Sequence, residues 1–224
     1  MIFLAVLVGF IPSFAWLLFY LREDVKRPEP KKMIAWAFLL GGLSTFLAFH
    51  LEILAESILN NFSVIKFSPS FFFTFAFIEE LVKFLVVFWF IRGSRYFDEP
   101  IDAMVYLITA ALGFAAVENM ASAWWQWRDY SSFNFVFENL TLRFIGATLL
   151  HSLSSGILGY YWAKGWQYRS RFIFVFSGLI IASGAHALFN YLIISFGSVS
   201  VPTMFLLLIG LFVLNDFEKL KAFS

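Results

Sequence analysis

The chain has no cysteine, and only 14% of its 224 residues are charged. Without cysteine it can form neither a disulfide bond nor a thiolate nucleophile or metal ligand. Soluble domains carry about a quarter of their residues as charged ones, so this composition argues against a soluble globular protein. The net charge of only +1 argues against nucleic acid as a partner, because domains that bind it are strongly basic.

The sequence is instead rich in long apolar segments. Of its residues, 61% are hydrophobic and 32 are phenylalanine. About 20 apolar residues make a helix that crosses a bilayer, and the chain contains seven runs near this length. We therefore predict an all-α, polytopic membrane helix bundle that forms a single transmembrane domain over residues 1–224. The first run lacks the basic start and the cleavage site of a signal peptide, so we expect a retained helix. The predicted helices are residues 2–21, 33–59, 70–91, 101–124, 142–163, 172–194 and 201–214, with an amphipathic connection at 125–141.

The basic residues of the short loops are concentrated in alternate loops, namely the first, third and fifth loops and the C-terminal tail. Basic loops stay on the cytoplasmic side of a membrane. The pattern therefore predicts an N-terminus outside and a C-terminus in the cytoplasm. The residues that make this pattern are Arg22, Lys26, Arg27, Lys31, Lys32, Arg92, Arg95, Lys164, Arg169, Arg171, Lys219 and Lys221.

The third predicted helix carries charges in the middle of its apolar run, at Glu79, Glu80 and Lys83. Each ionised side chain at a helix centre costs roughly 2.5–3.5 kcal/mol on insertion scales. Because a neutral helix would insert more favourably, we interpret these residues as functional. Glu79 and Lys83 share a helix face, so Lys83 can neutralise one carboxylate while the other faces a cavity.

Three more predicted helices carry ionisable residues at the same depth as Glu79. Counted from the outer helix ends, Glu79, Glu118, His151 and His186 lie roughly 9–14 Å below the outer face. Four helices that present ionisable groups at one level predict a polar cavity in the outer half of the membrane. The polar residues expected to support this cavity are Asn119, Ser155 and Asn190.

Several of these polar residues also have purely structural interpretations. A single histidine in a membrane helix usually makes an interhelical hydrogen bond, and Ser155 can do the same. Glu118 can cap a helix end, and Asp102 can complement a helix dipole near the start of its helix. Glu52 and Glu56, near the outer end of the second helix, can simply reach the membrane interface.

Four motifs occur in order, each on a predicted membrane helix, and together they resemble the PrsW-type intramembrane proteases. This family is related to the CAAX prenyl proteases and the bacteriocin-processing membrane proteases. The resemblance covers about residues 79–190, within a motif-bearing core at about 70–194. Asp102 falls where the family often has an aspartate. The motifs are Glu79-Glu80-x-x-Lys83, Gly113-Phe114-Ala115-x-x-Glu118-Asn119, His151-x-x-x-Ser155-Gly156 and His186-x-x-x-Asn190.

The resemblance implies an endopeptidase that cleaves a membrane-anchored protein in a prokaryotic plasma membrane. A single-pass anti-sigma factor cut on its extracytoplasmic side is the implied kind of substrate. In this hypothesis Glu79 activates the attacking water, and Glu80 with Lys83 sets the local charge. His186 and Asn190 stabilise the oxyanion. The remaining roles are water or metal binding by Glu118 and His151 and support by Asn119 and Ser155.

The metal dependence stays open at the level of sequence. The CAAX branch has histidine at the position of Glu118, and His151 can fill that vacancy. Zinc takes histidine and carboxylate ligands and leaves one position for water, so His151, His186 and Glu118 are candidate zinc ligands. The HExxH signature of many zinc proteases is absent, and metal-independent glutamate chemistry is favoured.

Two other function classes fit parts of the pattern. A transporter or channel can use buried carboxylates and histidines as a proton or cation relay, but the paired mid-membrane Gly or Pro breaks of many transporters are not evident. Haem ligation by His151 and His186 would leave the three glutamates unexplained.

Overall fold

The computed structural model describes residues 2–23, 27–168, 170–196 and 199–222, apart from the side chain of Gln167. Within these ranges all regular structure is helical, which confirms the all-α prediction. The helices in chain order are α1 Ile2–Val8, α2 Ile11–Tyr20, α3 Lys31–Asn61, α4 Pro69–Ile91, α5 Asp102–Tyr130, α6 Phe133–Ile145, α7 Ala147–Gln167, α8 Arg171–Phe196 and α9 Ser200–Lys221.

Five segments of the described chain are long and apolar enough to cross a membrane, namely Ile2–Tyr20, α3, α5, α8 and α9. The first of these joins α1 and α2, which are separated only by a turn at Gly9 and Phe10. The helices α4 and α7 complete the seven long segments predicted from the sequence. They differ from the other five because α4 carries three charged residues, Glu79, Glu80 and Lys83, and α7 carries several polar ones.

The last helix continues to Lys221, beyond the predicted end at residue 214. Two further differences from the prediction affect the cavity. The fourth predicted helix continues to Tyr130, where Ser131 takes a left-handed conformation with φ of 50°. The predicted helix 142–163 is interrupted at Gly146, whose φ and ψ of −107° and −100° end α6 and start α7. A helix-period pattern continues across Gly146 in the sequence, so periodicity alone does not reveal this break.

The helix α5 is the core of the bundle and is buried over most of its length, from Asp102 to Ala116. It packs against α3 and α7 and also touches α1, α2, α4 and α6. Large apolar side chains instead cover the outside of the bundle, as at Phe3 and Met204, which are 80% and 70% exposed. In a bilayer these side chains face lipid, which is as apolar as they are.

Small residues set the distance between α3 and α5. A Cβ atom added at Gly113 would lie 1.9 Å from the carbonyl oxygen of Phe38, and one at Gly41 would lie 2.0 Å from that of Ala110. Backbones that approach this closely are typical of membrane helix pairs, where glycine allows extensive van der Waals contact. The close packing fixes α5, and therefore Glu118, against α3.

The loops that carry the basic pattern meet at one end of the bundle. Arg27 of the first loop pairs with Glu99 of the third loop at 3.1 Å, and Lys221 of the tail pairs with Glu23 at 2.6 Å. This agrees with the alternation on which the predicted orientation rests. Which end faces the cytoplasm stays a prediction, and Lys26 and Arg169 lie outside the described residues.

Gly113→Ala is expected to destabilise the protein by about 1–3 kcal/mol, the range for overpacked cores, because the new methyl group overlaps the backbone of α3. Thermal unfolding of the detergent-purified protein measures this. Gly184→Ala is the matched control, since a Cβ at this helical glycine meets nothing within 4 Å. Equal melting temperatures for the two variants would contradict the close α3–α5 contact.

Candidate active site

Four helices bring the predicted ionisable residues into one cluster. The helix α4 contributes Glu79, Glu80 and Lys83, α5 contributes Glu118, and α7 and α8 contribute one histidine each. The rings of His151 and His186 lie edge to face, with their centroids 5.0 Å apart. The ionisable residues that helix depth places at one level therefore lie together in the structure.

Glu80 is fully buried and accepts hydrogen bonds with both carboxylate oxygens. Its Oε1 accepts from Lys83 Nζ at 2.7 Å and from Ser154 Oγ at 2.8 Å, and its Oε2 accepts from Ser155 Oγ at 2.8 Å. His186 Nδ1 lies 2.9 Å from Oε1 and completes the set. A carboxylate with four partners is held rigidly, so Glu80 organises the cluster and has little capacity left for a substrate.

The hydrogen bonds of the two histidines decide which nitrogen of each ring faces inward. His186 donates from Nδ1 to Glu80, because a carboxylate can only accept. Lys83 donates to His151 Nδ1 at 3.1 Å, so His151 donates from Nε2 to Glu118 Oε2 at 3.0 Å. Each ring therefore has one nitrogen bonded to a glutamate and one acceptor nitrogen, His186 Nε2 or His151 Nδ1, near Glu79.

Glu79 lies between these two acceptor nitrogens. Its Oε2 is 3.7 Å from His151 Nδ1 and 3.7 Å from His186 Nε2. The same oxygen is buried and has no hydrogen-bond partner among the described residues. A buried acceptor without a donor is unfavourable by about 1–3 kcal/mol, so this oxygen is suited to bind a ligand that supplies a proton or a positive charge.

The donor atoms around Glu79 also fit a metal ion. Within the described ranges, Glu79, His151 and His186 form a group whose ligand atoms lie within 4.8 Å of one another. A catalytic zinc takes three such ligands and one water. The bonds from His151 to Glu118 and from His186 to Glu80 are the contacts that orient zinc-binding histidines. Binding at His151 Nδ1 requires Lys83 to release that nitrogen and keep only Glu80.

Glu118, the third zinc candidate proposed from the sequence, has different partners. Its Oε2 accepts from Arg143 at 2.9 Å as well as from His151. Arg143 also donates to the side chain of Asn119, which in turn donates to Thr148 at 3.0 Å. Glu118 therefore links α6 and α7 to α5 and is not part of the group formed by Glu79, His151 and His186.

Arg143 is a site residue that the sequence did not indicate. In the sequence it is a single basic residue at the edge of a predicted helix. In the structure the break at Gly146 ends α6, and the side chain of Arg143 reaches Glu118. Ser154 is a second addition, since only its neighbour Ser155 falls in the motif. Neither residue stands out in composition or spacing.

Glu52 of α3 lies beside the cluster instead of reaching the membrane interface. Its half-buried carboxyl is within hydrogen-bonding reach of Glu79 and close to Glu118 and Lys83. Two carboxyl groups in this arrangement can share one proton. Glu56, one helical turn further, instead forms an exposed ion pair with Lys66 at 2.8 Å.

Two predicted residues lie away from the cluster. Asn190 makes no hydrogen bond to the cluster within the described chain and lines a groove of about 300 Å³ between the α6–α7 junction, α8 and α9. Arg143 lines the same groove and also contacts Glu118, so the groove adjoins the cluster. Asp102 lies at the opposite end of the bundle, where its Oδ2 accepts from the backbone amides of Asp98 and Glu99 at 2.9 and 2.8 Å. Its place in the first turn of α5 agrees with the structural interpretation from the sequence, in which Asp102 complements the helix dipole.

Comparison with known proteins gives one consistent family. The family model described as PrsW family intramembrane metalloprotease matches residues 29–215. A protease PrsW of Geobacillus kaustophilus is 27% identical over 190 residues, which cover 84% of this chain and 78% of that protein. The corresponding protein of Oceanobacillus iheyensis is 26% identical over 215 residues, or 94% and 93% of the two chains.

A third relative, the protease PrsW of Bacillus subtilis, is 25% identical over 193 residues, which cover 85% of this chain and 83% of that protein. No solved structure matches the chain. The relation to the CAAX prenyl proteases stays a prediction. The matched residues include α4, α5, α7 and α8, which carry the cluster. The chain therefore belongs to the PrsW family and is an intramembrane protease.

Proposed function

We propose that this protease hydrolyses a peptide bond in a membrane-anchored protein and that Glu79 is the centre of its chemistry. The observation that supports this role is the buried Oε2 of Glu79, which has no hydrogen-bond partner in the described chain. A water bound between this oxygen and His186 Nε2 would donate one hydrogen bond to each of them. Such contacts raise its nucleophilicity.

The surrounding residues hold Glu79 and the histidines in place. Glu80 fixes His186 and Lys83, and Ser154 and Ser155 fix Glu80 from α7. These contacts join α4, α7 and α8 through one carboxylate. Because the ammonium of Lys83 is neutralised by Glu80, it stabilises the helix packing and leaves Glu79 to bind the water.

The proton released by the attacking water goes to the carboxyl pair formed by Glu79 and Glu52. These two groups are within hydrogen-bonding reach of each other. The water oxygen forms a bond to the scissile carbonyl carbon, and the carbonyl π electrons move to its oxygen. When the C–N bond breaks, the pair returns the proton to the leaving amine. The products are a carboxyl group and an amine.

The oxyanion is stabilised from the groove that Arg143 and Asn190 line. Both side chains carry N–H donors. His186, to which the sequence hypothesis gave this role, presents an acceptor nitrogen toward Glu79 because its Nδ1 donates to Glu80. We therefore assign the donor role to Asn190 and Arg143. A substrate segment in this groove would place its carbonyl next to the cluster.

A zinc ion held by Glu79, His151 and His186 would lower the pKa of a bound water and polarise the scissile carbonyl. The residues present fit such an ion, as described above. The substrate class follows the family resemblance: a single-pass membrane protein such as an anti-sigma factor, cut near the end of the bundle opposite the basic loops. The mostly apolar groove around Asn190 suits an extended segment that leaves a membrane helix.

Glu79→Gln is expected to abolish cleavage of co-expressed, tagged single-pass anti-sigma factors while the protein keeps its melting temperature, because Gln preserves the packing and removes the base. Glu80→Gln is expected to lose roughly 3–5 kcal/mol of stability, since it leaves the buried Lys83 without its counter-ion. Immunoblots of the substrate and thermal unfolding of purified protein separate the two effects.

Glu56→Gln is the control for Glu79→Gln, because the one ion pair of this exposed carboxylate among the described residues is with Lys66, outside the cluster. Glu52→Gln is expected to slow cleavage less than Glu79→Gln, since Glu79 remains to accept the proton. Full cleavage by Glu79→Gln would exclude the proposed centre.

Arg143→Gln is expected to reduce kcat/KM by about 10²–10³, in the range for loss of an oxyanion donor, and mainly through kcat. Arg128→Gln is the control, since Arg128 is exposed and, in the described chain, forms its one ion pair with its neighbour Asp129 at 2.9 Å. Kinetics with a purified fluorogenic membrane-anchored substrate measure both. An unchanged kcat in Arg143→Gln would remove Arg143 from the oxyanion site.

A zinc ion held by three protein ligands predicts about one zinc per purified chain, its loss in His151→Ala and His186→Ala, and cleavage that a chelator stops. Elemental analysis of the purified protein and cleavage assays with and without a chelator measure these outcomes. Metal-free protein with chelator-insensitive cleavage would show instead that Glu79 acts on water alone.

A further inference from the structure

A second cavity lies at the end of the bundle that carries the basic loops. Its volume is about 430 Å³, and residues of α4 and α8 line it. The helix α7 and the loop after α4 also contribute to its lining. None of its lining residues belongs to the catalytic cluster. The lining residues are Phe84, Phe88, Arg92, Phe97, Trp162, Trp166, Arg171, Phe172 and Val175.

Two arginines supply all the charge of this cavity. Arg92 directly follows α4, and Arg171 is the first residue of α8. In the part of the chain that the structure describes, neither guanidinium has a carboxylate within ion-pair distance. Arg92 instead stacks over Trp89, with its guanidinium carbon 3.8 Å from the ring centroid. Stacking leaves the N–H groups at the guanidinium edge available to an anion.

The rest of the cavity wall is aromatic. Phe97 packs between Trp162 and Trp166, with centroid distances of 5.0 and 5.1 Å. Phe84 and Phe88 stack on each other at 5.6 Å along α4. From Arg92 to Phe84 the wall runs over two helical turns, or about 12 Å. The cavity therefore has two arginines at one end and an apolar wall that extends from them toward the membrane interior.

This combination matches the two parts of a phospholipid. A phosphate binds guanidinium groups strongly and often through two N–H groups, whereas an acyl chain gains by contact with aromatic side chains. A soluble anion would bind the two arginines and leave the aromatic wall without a partner. Basic pockets between membrane helices at the cytoplasmic face bind anionic head groups, and the basic loops predict that this end is cytoplasmic.

We propose that this cavity is a binding site for an anionic phospholipid, with the head-group phosphate at Arg92 and Arg171 and one acyl chain along Phe84 and Phe88. A lipid in this position contacts α4 and α8 together. These helices also carry Glu79 and His186, so the lipid stabilises the helix pair that supports the catalytic cluster.

The test uses the full chain purified in a neutral detergent, with phosphatidylglycerol, phosphatidylcholine or inorganic phosphate added. Native mass spectrometry and thermal unfolding report binding. Phosphatidylglycerol is expected to remain bound at one molecule per chain and to raise the melting temperature, as any ligand of the native state does. Phosphatidylcholine is expected to bind at least about tenfold more weakly, and inorganic phosphate is expected to have no effect.

Combined Arg92→Gln and Arg171→Gln is expected to remove the preference for phosphatidylglycerol. Arg95→Gln is the matched control, because Arg95 lies in the same loop, donates to Tyr96 at 2.8 Å and does not line the cavity. Val175→Trp, which fills the cavity without changing charge, is expected to lose the lipid and decides the question if the double variant does not fold.

Equal binding of the two lipids, or lipid binding that persists in Val175→Trp, would overturn the proposal. Stabilisation by inorganic phosphate equal to that by phosphatidylglycerol would also overturn it, because the site would then recognise an anion alone.

Discussion

The buried ion pair between Glu80 and Lys83 is the interaction on which the site depends. Two opposite charges inside a membrane bundle are tolerable only when they neutralise each other and when further hydrogen bonds satisfy them. Here the Nζ–Oε1 distance is 2.7 Å, and both groups are fully buried. The serine pair of α7 and the ring of His186 complete the coordination of Glu80. The charged residues that are least favourable inside a membrane thus join α4, α7 and α8 at one point.

The pair also explains the different roles of two adjacent glutamates. Glu80 is saturated by donors and acts as a structural anion. Glu79 is one residue along α4, about 100° around the helix, and therefore faces Glu52 and the two histidines instead. Saturation of one carboxylate and exposure of the other to a ligand follow from helix geometry and from the positions of the neighbouring helices.

Three glycines set the positions of the helices around the site. Gly113 and Gly41 allow the backbones of α3 and α5 to touch, which brings Glu52 of α3 close to Glu118 of α5. Gly146 separates α6 from α7, so that Arg143 turns back toward Glu118 and a groove remains beside Asn190. The second cavity, with Arg92 and Arg171, lies at the other end of α4 and α8 and is chemically independent of the cluster.

The sequence by itself determined the membrane class, the seven long helical segments and most residues of the candidate site. These conclusions depend on local properties: apolar length, the cost of charges in an apolar run and the depth counted along each helix. Helix depth alone placed Glu79, Glu118, His151 and His186 at one level. The motifs, being local as well, indicated the family.

Only the tertiary structure decided how these residues are connected. Which glutamate is saturated, which histidine nitrogen faces inward and which residues join the cluster depend on the rotation and separation of helices, which no single helix encodes. For this reason the sequence did not indicate that Glu52, Arg143 and Ser154 belong to the candidate site. It also did not indicate that Asn190 lies in the groove and not in the cluster. The break at Gly146 is a local event, but its consequence, the contact of Arg143 with Glu118, exists only because α5 lies opposite.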